Sequence, residues 1–149
     1  MITDEEIKRF ENEFSLIRRA VGWSSDKFAE MIGATRQTIS NIENKRFKLS
    51  KTNYIASRYV LDDEIRDHPK ETEMLQVVLE AFVDNPSKYT DEQKEEIRDR
   101  VNMISSAVKT KTMTKKEGLE KWQKLTIAGA ISTVVTGIIS AFVVGAWKK

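Results

Sequence analysis

The 149 residues contain no cysteine, which excludes disulfides, thiolate metal sites and a cysteine nucleophile. Two prolines and six glycines are too few breakers for long disordered linkers, and the chain reads as helical. His68 is the single histidine; it stands beside Pro69 with no carboxylate or nucleophile companion. No phosphate loop, dinucleotide fingerprint or metal-ligand spacing is present. The sequence is therefore read as a non-enzyme without a cofactor. The opening MITDEEIKRF is acidic and lacks the apolar stretch of a secretory signal peptide.

What charge there is lies unevenly. Residues 1–68 carry 12 basic and 12 acidic side chains, residues 69–108 carry 5 and 9, and residues 109–124 carry 6 and 2. From Leu125 to Trp147 there is none, and Lys148 and Lys149 follow. These shifts divide the chain into an N-terminal domain (1–68), a helical connector (69–108), a basic linker (109–124) and a charge-free run (125–147).

The run LTIAGAISTVVTGIISAFVVGAW covers roughly 34 Å as a helix, against about 30 Å for a hydrocarbon core. Trp122 and Trp147 bracket it as interfacial anchors would, with Lys121, Lys124, Lys148 and Lys149 flanking the run. A buried core helix of this length would normally show a polar face, so a single transmembrane helix is expected. Six lysines precede it and two follow, which places the N-terminal part in the cytoplasm of a single-pass membrane protein. Gly129, Thr133, Gly137, Ala141 and Gly145 recur every four residues, a small-residue ridge suited to self-association in lipid.

The N-terminal domain reads as a series of short helices. Thr3 and Glu6 have capping-box spacing, and Ile7, Phe10, Phe14 and Ile17 repeat at helical intervals toward Val21, with Gly22 ending the helix. Ser24 or Ser25 caps SDKFAEMI, Gly33 makes a tight turn, and Thr35 caps RQTISNIEN, with Asn44 suited to the left-handed C-terminal position. Ser50 caps KTNYIASRYV. Two short helices joined by a glycine turn describe a helix-turn-helix.

The stretch LIRRAVGWSSDKFAEMIGATRQTISNIENKRFKLS resembles the phage-repressor-type (lambda-repressor-like, XRE family) helix-turn-helix. The matching points are Ala29, Gly33, Ile39, Ile42 and the Ile-Glu-Asn run at 42–44, and the resemblance covers roughly residues 5–66. Three positions depart from the family: Ser25 replaces the usual Gln, Asn44 the usual Gly, and the usual Pro is replaced near Leu49.

The resemblance implies an all-α fold and a major-groove recognition helix, in which Arg36, Gln37, Ser40 and Asn41 meet base edges. Arginine pairs with guanine and Gln or Asn with adenine, which suits these residues to the task. Ser25, Thr35, Thr38, Lys45, Arg46 and Lys48 would contact phosphate. Between Arg36 and Lys51 there are five basic residues and one acidic one, Glu43. The family's matching Glu pairs with a basic residue of the first helix, here Arg18 or Arg19.

In the connector, Met74, Leu75, Val78, Leu79 and Phe82 form an apolar stripe after Pro69. Thr90 and Gln93 then open a helix with Ile97, Val101, Ile104 and Val108 on one seam. That seam fits a helical hairpin folding back on the domain. It equally fits a homodimer contact across residues 91–108, reinforced by the membrane helix. The basic stretch 109–124 is suited to anionic lipid.

Two functional readings follow. The first is a bacterial or phage transcriptional regulator, repressor-like and membrane-tethered, with double-stranded DNA and the lipid bilayer as partners. The alternative resembles bacterial cell-shape proteins of the RodZ type, where a membrane-anchored helix-turn-helix docks a cytoplasmic cytoskeletal or scaffold protein. That type has a large domain beyond the membrane, for which this sequence has no counterpart.

Overall fold

Capping side chains mark where most helices begin. In the computed structural model, which describes residues 1–128, eight α-helices follow in order. They are α1 (Asp4–Asn12), α2 (Phe14–Val21), α3 (Ser25–Ile32), α4 (Arg36–Glu43), α5 (Lys51–Asp67), α6 (Glu73–Leu79), α7 (Asp91–Lys109) and α8 (Lys115–Ala128). Thr3, Ser24, Thr35, Ser50 and Thr90 each accept a hydrogen bond from the backbone amide three residues on, satisfying a donor the helix itself cannot. At Thr90 the box is reciprocal, with Gln93 Oε1 accepting the Thr90 amide at 2.9 Å. At Thr3 it is only half made, because the Glu6 carboxylate turns away to the Tyr54 hydroxyl.

Within the N-terminal domain the structure departs from two expectations. The helix expected from Thr3 to Val21 is bent at Glu13 (φ −109°, ψ 17°) into α1 and α2. The bend lets Phe10 and Phe14 both enter the core, edge to face at 5.9 Å. The left-handed residue after α4 is Lys45 (φ 61°) and not Asn44 (φ −89°); Asn44 instead donates to Ser40 Oγ at 3.2 Å. Gly33 takes the left-handed geometry expected of it (φ 71°), which glycine adopts without steric cost.

The core of the N-terminal bundle is aromatic and aliphatic. Phe10, Phe14, Ile17, Phe28, Ile39, Ile42, Tyr54, Leu61 and Ile65 are all buried. Tyr54 meets Phe10 edge to face at 5.1 Å, and Phe14 tilts against Phe28 at 4.9 Å. Burying such side chains contributes roughly 1.5–3 kcal/mol each relative to exposure.

Helix α6 lies against α2, and the π turn that follows it, Glu80–Asp84, lies against α1. Leu75, Val77, Val78, Leu79, Ala81 and Val83 are fully buried. A helix apolar on every side is one enclosed by other elements. Helix α6 starts at Glu73; residues 69–72 form a turn held by Gln76, whose Nε2 donates to the Pro69 carbonyl at 2.8 Å.

The apolar seam on α7 is occupied by the chain's own helices. Ile97, Val101 and Ile104 are buried, with α7 packed on α2, α6 and α8. The hairpin reading describes these contacts, which are made within one chain; a homodimer across residues 91–108 is not shown by them. Arg98 locks this layer in place, donating to both oxygens of Glu13 at 2.8 and 3.1 Å and lying over the Phe82 ring at 4.9 Å. Arg19 adds a bond to Asn102 Oδ1 at 2.7 Å.

The basic stretch 109–124 is also more ordered than a linker. Most of it belongs to α8, which packs on α7. Gly118 permits the close approach, since a Cβ there would stand 3.0 Å from Ile104 Cγ2 and 3.1 Å from Val108 Cγ2. Trp122, expected at a membrane interface, is fully buried instead. Among the described residues no helix is long and apolar enough to cross a membrane. The side chains of the charge-free run 125–147, and with them Gly129, Thr133, Gly137, Ala141 and Gly145, lie outside the described residues.

Candidate nucleic-acid interface

Helix α4 is held from both ends. At its N-terminus Thr35 Oγ1 accepts the Thr38 amide at 3.2 Å and lies 3.0 Å from Thr38 Oγ1. At its C-terminus Glu43 takes two bonds from Arg18 of α2, from Nε at 2.6 Å and from Nη2 at 3.0 Å. Arg18 also donates to the Trp23 carbonyl at 3.1 Å, so one guanidinium fixes α2, the α2–α3 turn and the end of α4 together. Of the two arginines considered for this role, Arg18 fills it; Arg19 bonds to Ser15 and Asn102.

Arg36 and Gln37, the first two residues of α4, are exposed. The Arg36 side chain is 74% exposed and stands 3.9 Å from the Asp26 carboxylate of α3. Ser40 is half-buried and accepts from Asn44. Asn41 departs from expectation: it is only 8% exposed and its Oδ1 accepts from Gln37 Nε2 at 3.1 Å. In this conformation Asn41 does not present a free edge; it orients Gln37.

Among the residues expected at phosphates, Thr35, Lys45, Arg46 and Lys48 are exposed, whereas Ser25 and Thr38 are half-buried. The loop that carries the cations is fixed by its backbone. The Arg46 and Phe47 amides both donate to the Asn41 carbonyl, at 2.8 and 3.3 Å. Lys45 takes the left-handed conformation that this reversal requires. Further along, the Leu49 amide donates to Glu11 Oε1 of α1 at 2.6 Å.

Burial pushes the Glu11 carboxyl up, but the Leu49 amide, then Lys8 at 2.9 Å and the charge of Lys45, outweigh it and hold it below the usual carboxylate range. Sequence reading missed this latch. A glutamate three residues after an exposed lysine reads as an ordinary surface pair, and only the fold brings residue 49 to it.

The arrangement is a two-helix unit with an exposed, hydrogen-bonding N-terminal end on its second helix and a fixed cationic loop after it. Among the described residues no group of three or more His, Cys, Asp or Glu side chains could hold a metal ion. Residues 15–56, from α2 into α5, match the helix-turn-helix family model, which is well under half of the chain. No curated protein and no solved structure matches the chain.

Proposed function

We propose that this chain is a sequence-specific, repressor-like DNA-binding regulator that reads a major groove with α4 and is tethered to the cell membrane by residues 125–147. The observation that carries the DNA reading is the pairing of exposed Arg36 and Gln37 with the fixed loop of Lys45, Arg46 and Lys48. Arg36 and Gln37 supply base discrimination, Ser40 stands at the margin, and the loop supplies phosphate neutralisation. The helix-turn-helix match over residues 15–56 supports the same reading. The tether rests on the absence of charge between Leu125 and Trp147 and on the lysines flanking that run. It leaves the folded part in the cytoplasm. Pairing of two copies in the membrane rests on the small-residue ridge from Gly129 to Gly145.

The test is selection of the full-length chain, held in mild detergent, against duplexes with a randomised centre. Enrichment of a site that is lost in Arg36→Ala and in Gln37→Ala supports the reading. Binding indifferent to sequence and unchanged by Arg36→Glu overturns it and makes the domain a protein-docking module. For the tether, membrane fractions should retain the full chain after alkaline washing and release a chain ending at residue 128. Retention of both overturns the anchor.

A further inference from the structure

Phe47 is the one feature of the candidate interface that phosphate and base chemistry leave unused. It is 59% exposed, in a loop where its neighbours Arg46 and Lys48 are exposed cations. Its placement is not slack, since its own amide donates to the Asn41 carbonyl at 3.3 Å, and that of Arg46 at 2.8 Å. The ring is thus carried by a backbone bonded directly to the recognition helix. From Asn44 to Lys51 the chain has no acidic residue, and Lys45, Arg46, Lys48 and Lys51 are all exposed. An aromatic ring left in water and flanked along the chain by exposed cations is matched by a partner with anionic groups spaced by apolar ones. The sugar-phosphate edge of a duplex has that pattern, each deoxyribose presenting carbon and hydrogen between two phosphates.

We propose that Phe47 packs against the deoxyribose of the DNA backbone beside the groove that α4 enters, and gives the interface a salt-independent share of its affinity. This rests on the DNA-binding reading and names a contact that reading does not contain. The lysines around the ring bind by releasing counterions, so their part of the affinity falls steeply with salt. Ring burial against sugar releases no ion and is insensitive to salt over the same range. The two contributions therefore separate by slope.

The experiment titrates the full-length chain against the duplex obtained by selection, at several salt concentrations, with wild type, Phe47→Ala, Phe47→Leu, Lys48→Ala and Arg36→Ala. Phe47→Ala is expected to weaken binding roughly five- to twenty-fold at every salt concentration. Its logarithmic plot should run parallel to wild type. Phe47→Leu should recover most of the loss, because the contact needs apolar surface. Lys48→Ala should lower the slope by about one. Because the ring is mostly exposed, thermal unfolding of Phe47→Ala should match wild type. A Phe47→Ala affinity equal to wild type overturns the proposal, as does a changed slope. An altered oligomeric state with unaltered duplex affinity also overturns it and makes the ring a protein contact. Insensitivity to Arg36→Ala marks failure of the underlying reading instead.

Discussion

Arg18 and Glu43 are 25 residues apart in sequence and share two hydrogen bonds, 2.6 and 3.0 Å long. They join α2 to Glu43, the last residue of α4, and both side chains are mostly shielded from solvent. One guanidinium thus adds to the packing of Ile39 and Ile42 in holding α4 against the bundle. Glu43→Gln keeps the shape and removes the charge, leaving Arg18 half-served. We expect a loss of about 2 kcal/mol, below the range for fully buried pairs because some solvent reaches this one. For a chain of this size that lowers Tm by roughly 4–8 °C. A double-mutant cycle with Arg18→Met tests the pairing: additive losses would separate the two residues.

A second arginine sits in a more crowded place. Arg58 donates to both oxygens of Asp84 at 2.7 and 3.2 Å and lies 3.5 Å from Asp62. Burial raises the Asp62 carboxyl, with Arg58 opposing and Asp84 reinforcing the rise. An acid whose folded pKa is raised holds its proton better folded than unfolded. It therefore favours the fold while protonated and opposes it at neutral pH, where it is ionised in both states. Asp62→Asn is expected to leave stability at pH 7 unchanged or higher. Asp84→Asn, which strips Arg58 of its two-point partner, is expected to cost about 3 kcal/mol. Chemical denaturation should place Asp62→Asn at or above wild type and Asp84→Asn below it.

Glu11 carries the reverse sign. Its carboxyl is held low, burial being outweighed by the Leu49 amide and Lys8. A depressed acid stabilises the fold above its unfolded pKa, and that contribution disappears as pH falls through the folded value. Stability should thus drop on acidification below the ordinary carboxylate range, and the loop 45–49 should loosen with it. Glu11→Gln removes this component, so its stability curve over the same acid range should be flatter than that of wild type. Amide exchange at Leu49 reports the latch directly. A wild-type Leu49 amide equally protected at neutral and acid pH would show that the carboxylate does not hold it.

Helix starts were legible because their cause is local: a Ser or Thr reaches its own third amide, and five such caps stand where the sequence puts them. The turn at Gly33 was legible for the same reason. The bend at Glu13 was not, because its cause is distant, in Arg98 and in the demand of Phe10 and Phe14 for one core. Trp122 was misplaced because a tryptophan beside lysines reads alike at a membrane surface and under a helix. Its burial depends on Gly118 admitting α8 to α7. In the candidate site, Arg36 and Gln37 follow from helical position alone, whereas the turning inward of Asn41 follows from the bond it accepts from Gln37.

The ion pair of Asp26 and Arg36 stands within the candidate interface itself. The carboxylate lies 3.9 Å from the guanidinium and both side chains are more than 70% exposed. Such a pair contributes little to stability. Its consequence falls on binding, where Asp26 repels phosphate and restrains an arginine that otherwise adopts many rotamers. Asp26→Asn should leave Tm unchanged and raise affinity for an unselected duplex several-fold at low salt. The gain should shrink as salt is added, since exposed charges are screened within about 10 Å at 0.1 M. Affinity for the selected duplex should rise less, because Arg36 then enters the groove less ordered. The ratio of selected to unselected binding should therefore fall. An unchanged ratio would mean that Asp26 acts only as a charge and has no part in aiming Arg36.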